Sequence, residues 1–265
     1  MRLQTDYHDW IYFLNLFSEY DSSVSDTALF RYDFSSHGLQ ALAKYAEIEN
    51  MIGSKDSDFK KAVSIMKWVN TNLSGDGMCV PPDRFDAISV LQKTKEFGLK
   101  SNCWMHAVVM TELCLAAGFY ARMVRCLPID LEYSDCQCVT TIYLREYQKW
   151  VVFDPSNNAY YLDQNMMPMD LPALRRSVAT SKPIYIPMAS RATTQRLIQY
   201  FAKTLFRFEC DSMCGFGNES ALQDRTFIAL NPIGFKLTNN TFHLTDRTVR
   251  MIYIYSEKDF WKPPY

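Results

Sequence analysis

"SNCWMHAVVMTELCLAAGF", residues 101–119, places Cys103 at the mouth of a run that reads as a long amphipathic helix from about Asn102 to Ala117. Asn102 is a residue type that caps helix N-termini, and Gly118 suits a C-terminal cap. Backbone N–H groups and the macrodipole at a helix start favour a thiolate, so Cys103 stands where a nucleophile would be placed. The bland alternative is a small buried hydrophobe, which is the better reading of Cys114 within "LCLAAG". A nucleophilic cysteine also needs a base, normally histidine, and a group that orients the base.

Beyond this run the hydrophobic period changes. "YARMVRCLP" (120–128) alternates like a half-buried strand, and "CVTTIYLRE" (138–146) and "KWVVFDP" (149–155) follow as a hairpin turning near "EYQ". On the N-terminal side, "HGLQALAKYAEIENMIG" (37–53) reads as one helix stopped by Gly53, and "DSDFKKAVSIMKWVNTNL" (56–73) as a second with an acidic start. "SGDGMCVPPDRF" (74–85) is a loop by its Gly and Pro content, and "DAISVLQKTKEFG" (86–98) a short helix. "DLPALRRSVAT" (170–180) and "RATTQRLIQYFAKTLFRF" (191–208) read as helices, and "RTFIALNP" (225–232) and "RTVRMIYIYS" (247–256) as late strands. The expected fold class is α+β in a single domain, 1–265. A helical region, 1–54, would lead into a core, 55–165, in which the cysteine helix packs on an antiparallel sheet, and 166–265 would wrap that core.

Composition narrows the function classes. With 48% hydrophobic and 22% charged residues the 265-residue chain is globular and long enough to bury a substantial core. A net charge of -1 gives no electrostatic footprint for nucleic acid or an anionic membrane. The opening "MRLQTDYHDWIYFLNLF" has charges where a secretory leader needs an unbroken apolar run, and no stretch reaches membrane-span length. Eight scattered cysteines fit reduced thiols better than a stapled mini-domain, so a cytoplasmic location is expected.

The order of elements and four motifs carry a resemblance: "NC" opening the helix, "LAAGFYARMVRCLP" into the first strand, "DCQCVTTIYL" as the second, and "KWVVFDPSNNAYYLD" as the third. Together they resemble the transglutaminase-like cysteine hydrolase superfamily over roughly 55–165, with "FAKTLFRFEC" and "SEKDFWKPP" similar to bacterial members. The resemblance implies a papain/transglutaminase-like core, with Cys103 at the nucleophile position and Asp154 at the orienting position. The histidine position is occupied by Gln137, and the strand's usual acidic position by Thr141. A glutamine amide donates and accepts hydrogen bonds but cannot take a proton from a thiol near neutral pH, so Cys103, Gln137 and Asp154 lack a general base.

Four histidines are available. His106 lies one turn after Cys103, with Cβ atoms roughly 5–6 Å apart, and is the candidate surrogate base against an ordinary partly buried histidine. His8, His37 and His243 have no motif around them. Cys136-x-Cys138 and Cys210-x3-Cys214 lack zinc spacing, so strand cysteines are the simpler reading, and neither metal nor cofactor is expected. Either Cys136 or Cys138 could trap Cys103 as a disulfide. "GFGNES" (215–220) lacks the context of a dinucleotide fingerprint and reads as a glycine turn.

Three function classes follow. One is a catalytically impaired relative that keeps the site to bind a peptide or amide-bearing ligand; Gln137 favours it. The second is an active thiol hydrolase or acyltransferase at amide bonds, with Cys103 as nucleophile and a substitute proton carrier. The third is a scaffold in which Cys103 is a buried thiol. Oligomeric state is not legible in the residues.

Overall fold

Helix and strand boundaries follow local chemistry closely. A computed structural model describes residues 6–25, 27–75, 79–131, 135–187, 189–220, 224–243 and 247–264; the expected loop at 74–85 lies partly outside these. In chain order the first elements are α1 (Tyr7–Leu16), β1 (Arg31–Tyr32), α2 (His37–Tyr45), α3 (Ile48–Met51), α4 (Asp58–Asn72), β2 (Ser74–Gly75), α5 (Ala87–Phe97) and β3 (Lys100–Ser101). There follow α6 (Cys103–Ala116), β4 (Ala121–Leu127), β5 (Gln137–Leu144), β6 (Lys149–Asp154), β7 (Ala159–Tyr160), α7 (Leu171–Ala179) and α8 (Arg191–Thr204). The chain closes with β8 (Arg207–Asp211), β9 (Met213–Cys214), β10 (Arg225–Leu230), β11 (Asn240–His243), β12 (Thr248–Ile254) and α9 (Glu257–Phe260). Side-chain oxygens at the N-caps of the longer helices (Ser57, Asp86, Asn102, Asp170, Ser190) accept early backbone N–H groups, as their residue types require.

The main sheet has the order β11-β12-β10-β8-β4-β5-β6-β7. Every neighbouring pair is antiparallel except β10 with β12. Helices cover both faces. α2, α4, α5 and α6 pack with Ile142, Leu144, Val151 and Phe153 on one side; α1, α7 and α8 pack with Val124, Val139 and Val152 on the other. The fold is therefore α+β, with the cysteine helix packed on a largely antiparallel sheet.

Four expectations change on contact with tertiary structure. The helix expected over 37–53 breaks after Tyr45, where Glu47 turns left-handed (φ 50°) to start α3. α6 is not amphipathic: every residue from Met105 to Leu115 is buried, because α2, α4 and α5 cover the side that faces away from the sheet. The segment 191–208 is not one helix, since α8 ends at Thr204 and Arg207–Asp211 becomes β8, paired between β4 and β10. β4 is buried on both faces rather than one, and its polar residues, Arg122 and Arg125, are held by partners instead of water.

Burial of a charge-bearing side chain inside α6 has a measurable consequence. Glu112, 3% exposed, accepts N–H groups from Ala87 at the start of α5 (2.8 Å) and from Gly217 (2.9 Å). Burial raises its carboxyl from 4.5 to about 8, against the pull of those two bonds. Because the folded value is raised, the stability it contributes is fully present below the unfolded carboxyl range and is lost as pH rises through the folded value. Denaturant unfolding of the wild type should therefore weaken between pH 5 and 8 relative to Glu112→Gln, by roughly 2–5 kcal/mol across the window. Parallel pH dependences for the two proteins would contradict this assignment.

Candidate active site

Asn102 anchors the start of α6: its side-chain oxygen accepts the Met105 N–H (3.0 Å), and its Nδ2 donates to the Cys79 carbonyl (3.1 Å). Cys103 is the first residue of the helix and half-buried, as are its neighbours Trp104 and Cys136. Its Sγ donates to the Cys136 carbonyl at 3.5 Å.

Strand alternation decides what Cys103 faces. Along β5, Cys138 packs against Ala107 of α6, and Thr140 Oγ1 bonds to the Ala107 carbonyl (3.1 Å) and lies 3.0 Å from Thr111 Oγ1. Cys136 shares that side, with its Sγ 3.9 Å from that of Cys138. The three thiols of Cys103, Cys136 and Cys138 therefore form one cluster with Trp104, Ala107 and Met123. Contact with Cys136 pushes the Cys103 thiol up to about 11. Contacts with Cys103 and then Cys138 pull Cys136 down to about 4, and the Arg125 guanidinium adds to that pull. Within this cluster the mutual contacts favour the thiolate at Cys136 and disfavour it at Cys103.

The Cys136 segment is itself clamped. Tyr200 O–H donates to Asp135 Oδ1 (2.6 Å) and to the Cys136 carbonyl (3.2 Å), and Lys203 Nζ reaches Asp135 Oδ2 (2.6 Å). Arg125, opposite Cys138 in the β4–β5 register, bonds Glu209 (3.1 Å) and Glu219 (3.0 Å), and Glu219 also accepts Trp104 Nε1–H (3.0 Å).

Gln137 meets the strand-end carboxylate. Its Nε2 donates to Asp154 Oδ2 (3.0 Å) and to Ser156 Oγ (3.3 Å), which uses both amide hydrogens. Asp154, fully buried, also accepts Ser156 O–H (2.7 Å), the Asn157 backbone N–H (3.2 Å), Asn157 Nδ2–H (2.9 Å) and Tyr161 O–H (3.2 Å). Burial raises its pKa while these bonds oppose the rise. Gln137 and Asp154 are thus brought together as a hydrogen-bonded pair, and Cys103 is engaged with its neighbouring cysteines.

His106 is 0% exposed, and its Nδ1 lies 2.9 Å from the Asn102 carbonyl, so that nitrogen carries the proton. Nε2 is left buried without a partner. Burial holds the ring below its ordinary pKa, as neutral imidazole pinned to its own helix. His8, His37 and His243 are exposed on α1, α2 and β11. Thr141 is fully buried, its hydroxyl among the unpartnered polar atoms. Among the described residues, no group of three or more His, Cys, Asp or Glu is arranged to hold a metal ion.

Sequence reasoning missed Ser156, Asn157 and Tyr161 around Asp154, although "DPSNN" already carried the signal: short polar side chains after a strand-end Asp bond back to it. "GFGNES" was more than a turn, because it delivers Gly217 to Glu112 and Glu219 to Trp104, Arg125 and Arg225. No local pattern announces such long-range pairs.

Residues 46–155 match the model of the transglutaminase-like superfamily, beginning before and ending short of the expected core. Among solved structures, one described as a "Putative Cysteine Protease from Cytophaga hutchinsonii" is similar over 52% of this chain and 46% of that one. The identity is 16% and the TM-score 0.37, and the chain spans less than half the length of that protein. No curated protein matches the sequence. No helix among the described residues is long and apolar enough to cross a membrane. From the α2–α3 break, through the cysteine helix, to Pro155 beside Asp154, residues 46–155 are the part of the chain that is similar to the transglutaminase-like superfamily.

Proposed function

We propose that the chain is a transglutaminase-like protein with impaired amide chemistry, which uses the surface around Cys103 to bind a peptide or amide-bearing ligand. The observation that carries this reading is the Gln137–Asp154 hydrogen bond of 3.0 Å. It fills the position of the base with an amide that has no titrating nitrogen. Both of its hydrogens are already used, so it offers no donor to an oxyanion either. Without a general acid, expulsion of an amine from a tetrahedral intermediate has no proton source, and loss of such a group costs about 10²–10⁴-fold.

The half-buried side chains of Cys103, Trp104 and Cys136 supply the binding surface, an aromatic plane beside two polarisable thiols. The alternative, an active thiol enzyme using His106, has one favourable observation, the bare Nε2 of its neutral ring. A fluorescently labelled, N-blocked glutaminyl peptide separates the two. Saturable binding that weakens in Trp104→Ala, with the peptide recovered intact from the wild type, is the expected result. Peptide consumption that disappears in both Cys103→Ala and His106→Phe would overturn it.

A further inference from the structure

We propose that Cys103 and Cys136 form a thiol–disulfide exchange pair whose substrate is a small or peptidyl disulfide. The inference goes beyond ligand binding and holds whether or not an amide ligand exists. It stands first on placement. Two half-buried cysteines from different elements, the start of α6 and the lead-in to β5, meet with Cys103 Sγ 3.5 Å from the Cys136 carbonyl. A third thiol, Cys138, lies behind them at 1% exposure.

Geometry selects the pair. Cys136 and Cys138 are separated by one residue on extended chain, which sets their Cα atoms about 6.6–7.2 Å apart. That is at or beyond the far end of the roughly 4.4–6.8 Å a disulfide spans, so their sulfur contact at 3.9 Å is a poor precursor of a bond. Cys103 approaches Cys136 from another element and has no such restriction. Chemistry selects the reaction. Hydrolysis of an amide needs a proton carrier for the leaving amine, which Gln137 cannot be; a thiolate leaves from a disulfide without one.

The steps balance. Cys136, as thiolate, attacks a sulfur of RSSR, forming a Cys136–S–S–R mixed disulfide and releasing RS⁻. Cys103 then loses its proton and attacks the Cys136 sulfur, forming the Cys103–Cys136 bond and releasing the second RS⁻. The protein dithiol is oxidised by two electrons, the substrate disulfide is reduced to two thiols, and the protons lost by the protein are taken up by the released thiolates. The low pKa of Cys136 and its Arg125 neighbour are consistent with its role as attacker. The phenol of Tyr200 fixes the carbonyl beside it (3.2 Å).

The test uses the full chain, reduced, freed of reductant and incubated without denaturant with glutathione disulfide. The expected result is loss of two thiols per chain, with peptide mapping that joins Cys103 to Cys136. In Cys103→Ser the reaction should stop with glutathione attached to Cys136. In Cys136→Ser the reaction should stop with glutathione attached to Cys103 and no bond between two protein cysteines at the site. The proposal is overturned if the native chain loses no thiols, if the bond found is Cys136–Cys138 or only Cys210–Cys214, or if Cys136→Ser still closes an intrachain bond at Cys103. Should a serine variant not fold, as judged by circular dichroism, the wild-type bond map decides alone.

Discussion

Site-resolved alkylation with iodoacetamide will find Cys136 modified at a rate nearly independent of pH from 6 to 9, while the rate at Cys103 rises about a thousandfold over the same range. The expectation follows from thiolate fractions. Cys136 is held at about 4 by its contacts with Cys103 and Cys138, and Cys103 is pushed up to about 11 by its contact with Cys136. At pH 7 only ~10⁻⁴ of Cys103 is ionised, but nucleophilicity falls with thiol pKa at a Brønsted slope near 0.4–0.5. The two effects leave Cys136 faster by about tenfold at pH 7 and bring the rates together near pH 8. Removing Cys136 removes the largest cause of the upward shift, so Cys136→Ser should speed alkylation of Cys103 at pH 7 roughly tenfold. A Cys103 rate already flat from pH 6 would instead indicate a thiolate stabilised by a nearby cation, as in a working cysteine–histidine pair.

The second large effect is on stability. Arg122, 2% exposed in β4, is gripped by residues far apart in sequence: its guanidinium lies 3.9 Å from the Phe30 ring centroid and 3.8 Å from that of Trp150. Nε donates to Tyr32 Oη (2.6 Å) and Nη1 to the Phe260 carbonyl (2.7 Å). One side chain thereby ties the N-terminal segment and α9 to the central sheet. Truncation to alanine empties a volume lined by aromatic rings and leaves a buried carbonyl and phenol without a donor. Together these should cost about 3–5 kcal/mol in urea unfolding. Arg122→Lys keeps the charge but not the planar fork, and should recover less than half of that loss. A change below about 1 kcal/mol for Arg122→Ala would show that the flanking segments are held by other contacts.

Residues 86–154 were largely legible because their patterns are local. Asp86 and Asn102 cap helices where such residues cap, Gly98 takes the left-handed conformation that ends α5 (φ 65°), and the EYQ turn closes the β5–β6 hairpin. The pairing of Gln137 with Asp154 was legible only through the resemblance, since neither residue is unusual alone. Three things were hidden for one reason. The burial of α6 on all sides, the strand nature of 207–211 and the web around Glu219 each depend on which distant segment arrives as a neighbour. The break at Glu47 belongs to the same class, because a lone positive φ at a glutamate has no sequence signature. The cysteine cluster was half legible: the sequence placed Cys136 and Cys138 within reach of Cys103, and only the fold shows the three thiols gathered in one cluster.

On the proposed reading, Gln137, hydrogen-bonded to Asp154, leaves Cys103 without a proton carrier for amide chemistry. The most direct measurement is ammonia release from a panel of N-blocked glutaminyl peptides, read together with the intact mass of the protein to detect an acyl group on Cys103. The wild type should match Cys103→Ala in both readouts, with no acyl adduct and no ammonia above that background. Ammonia release that depends on Cys103, or a Cys103 acyl-enzyme formed in the wild type, would contradict it.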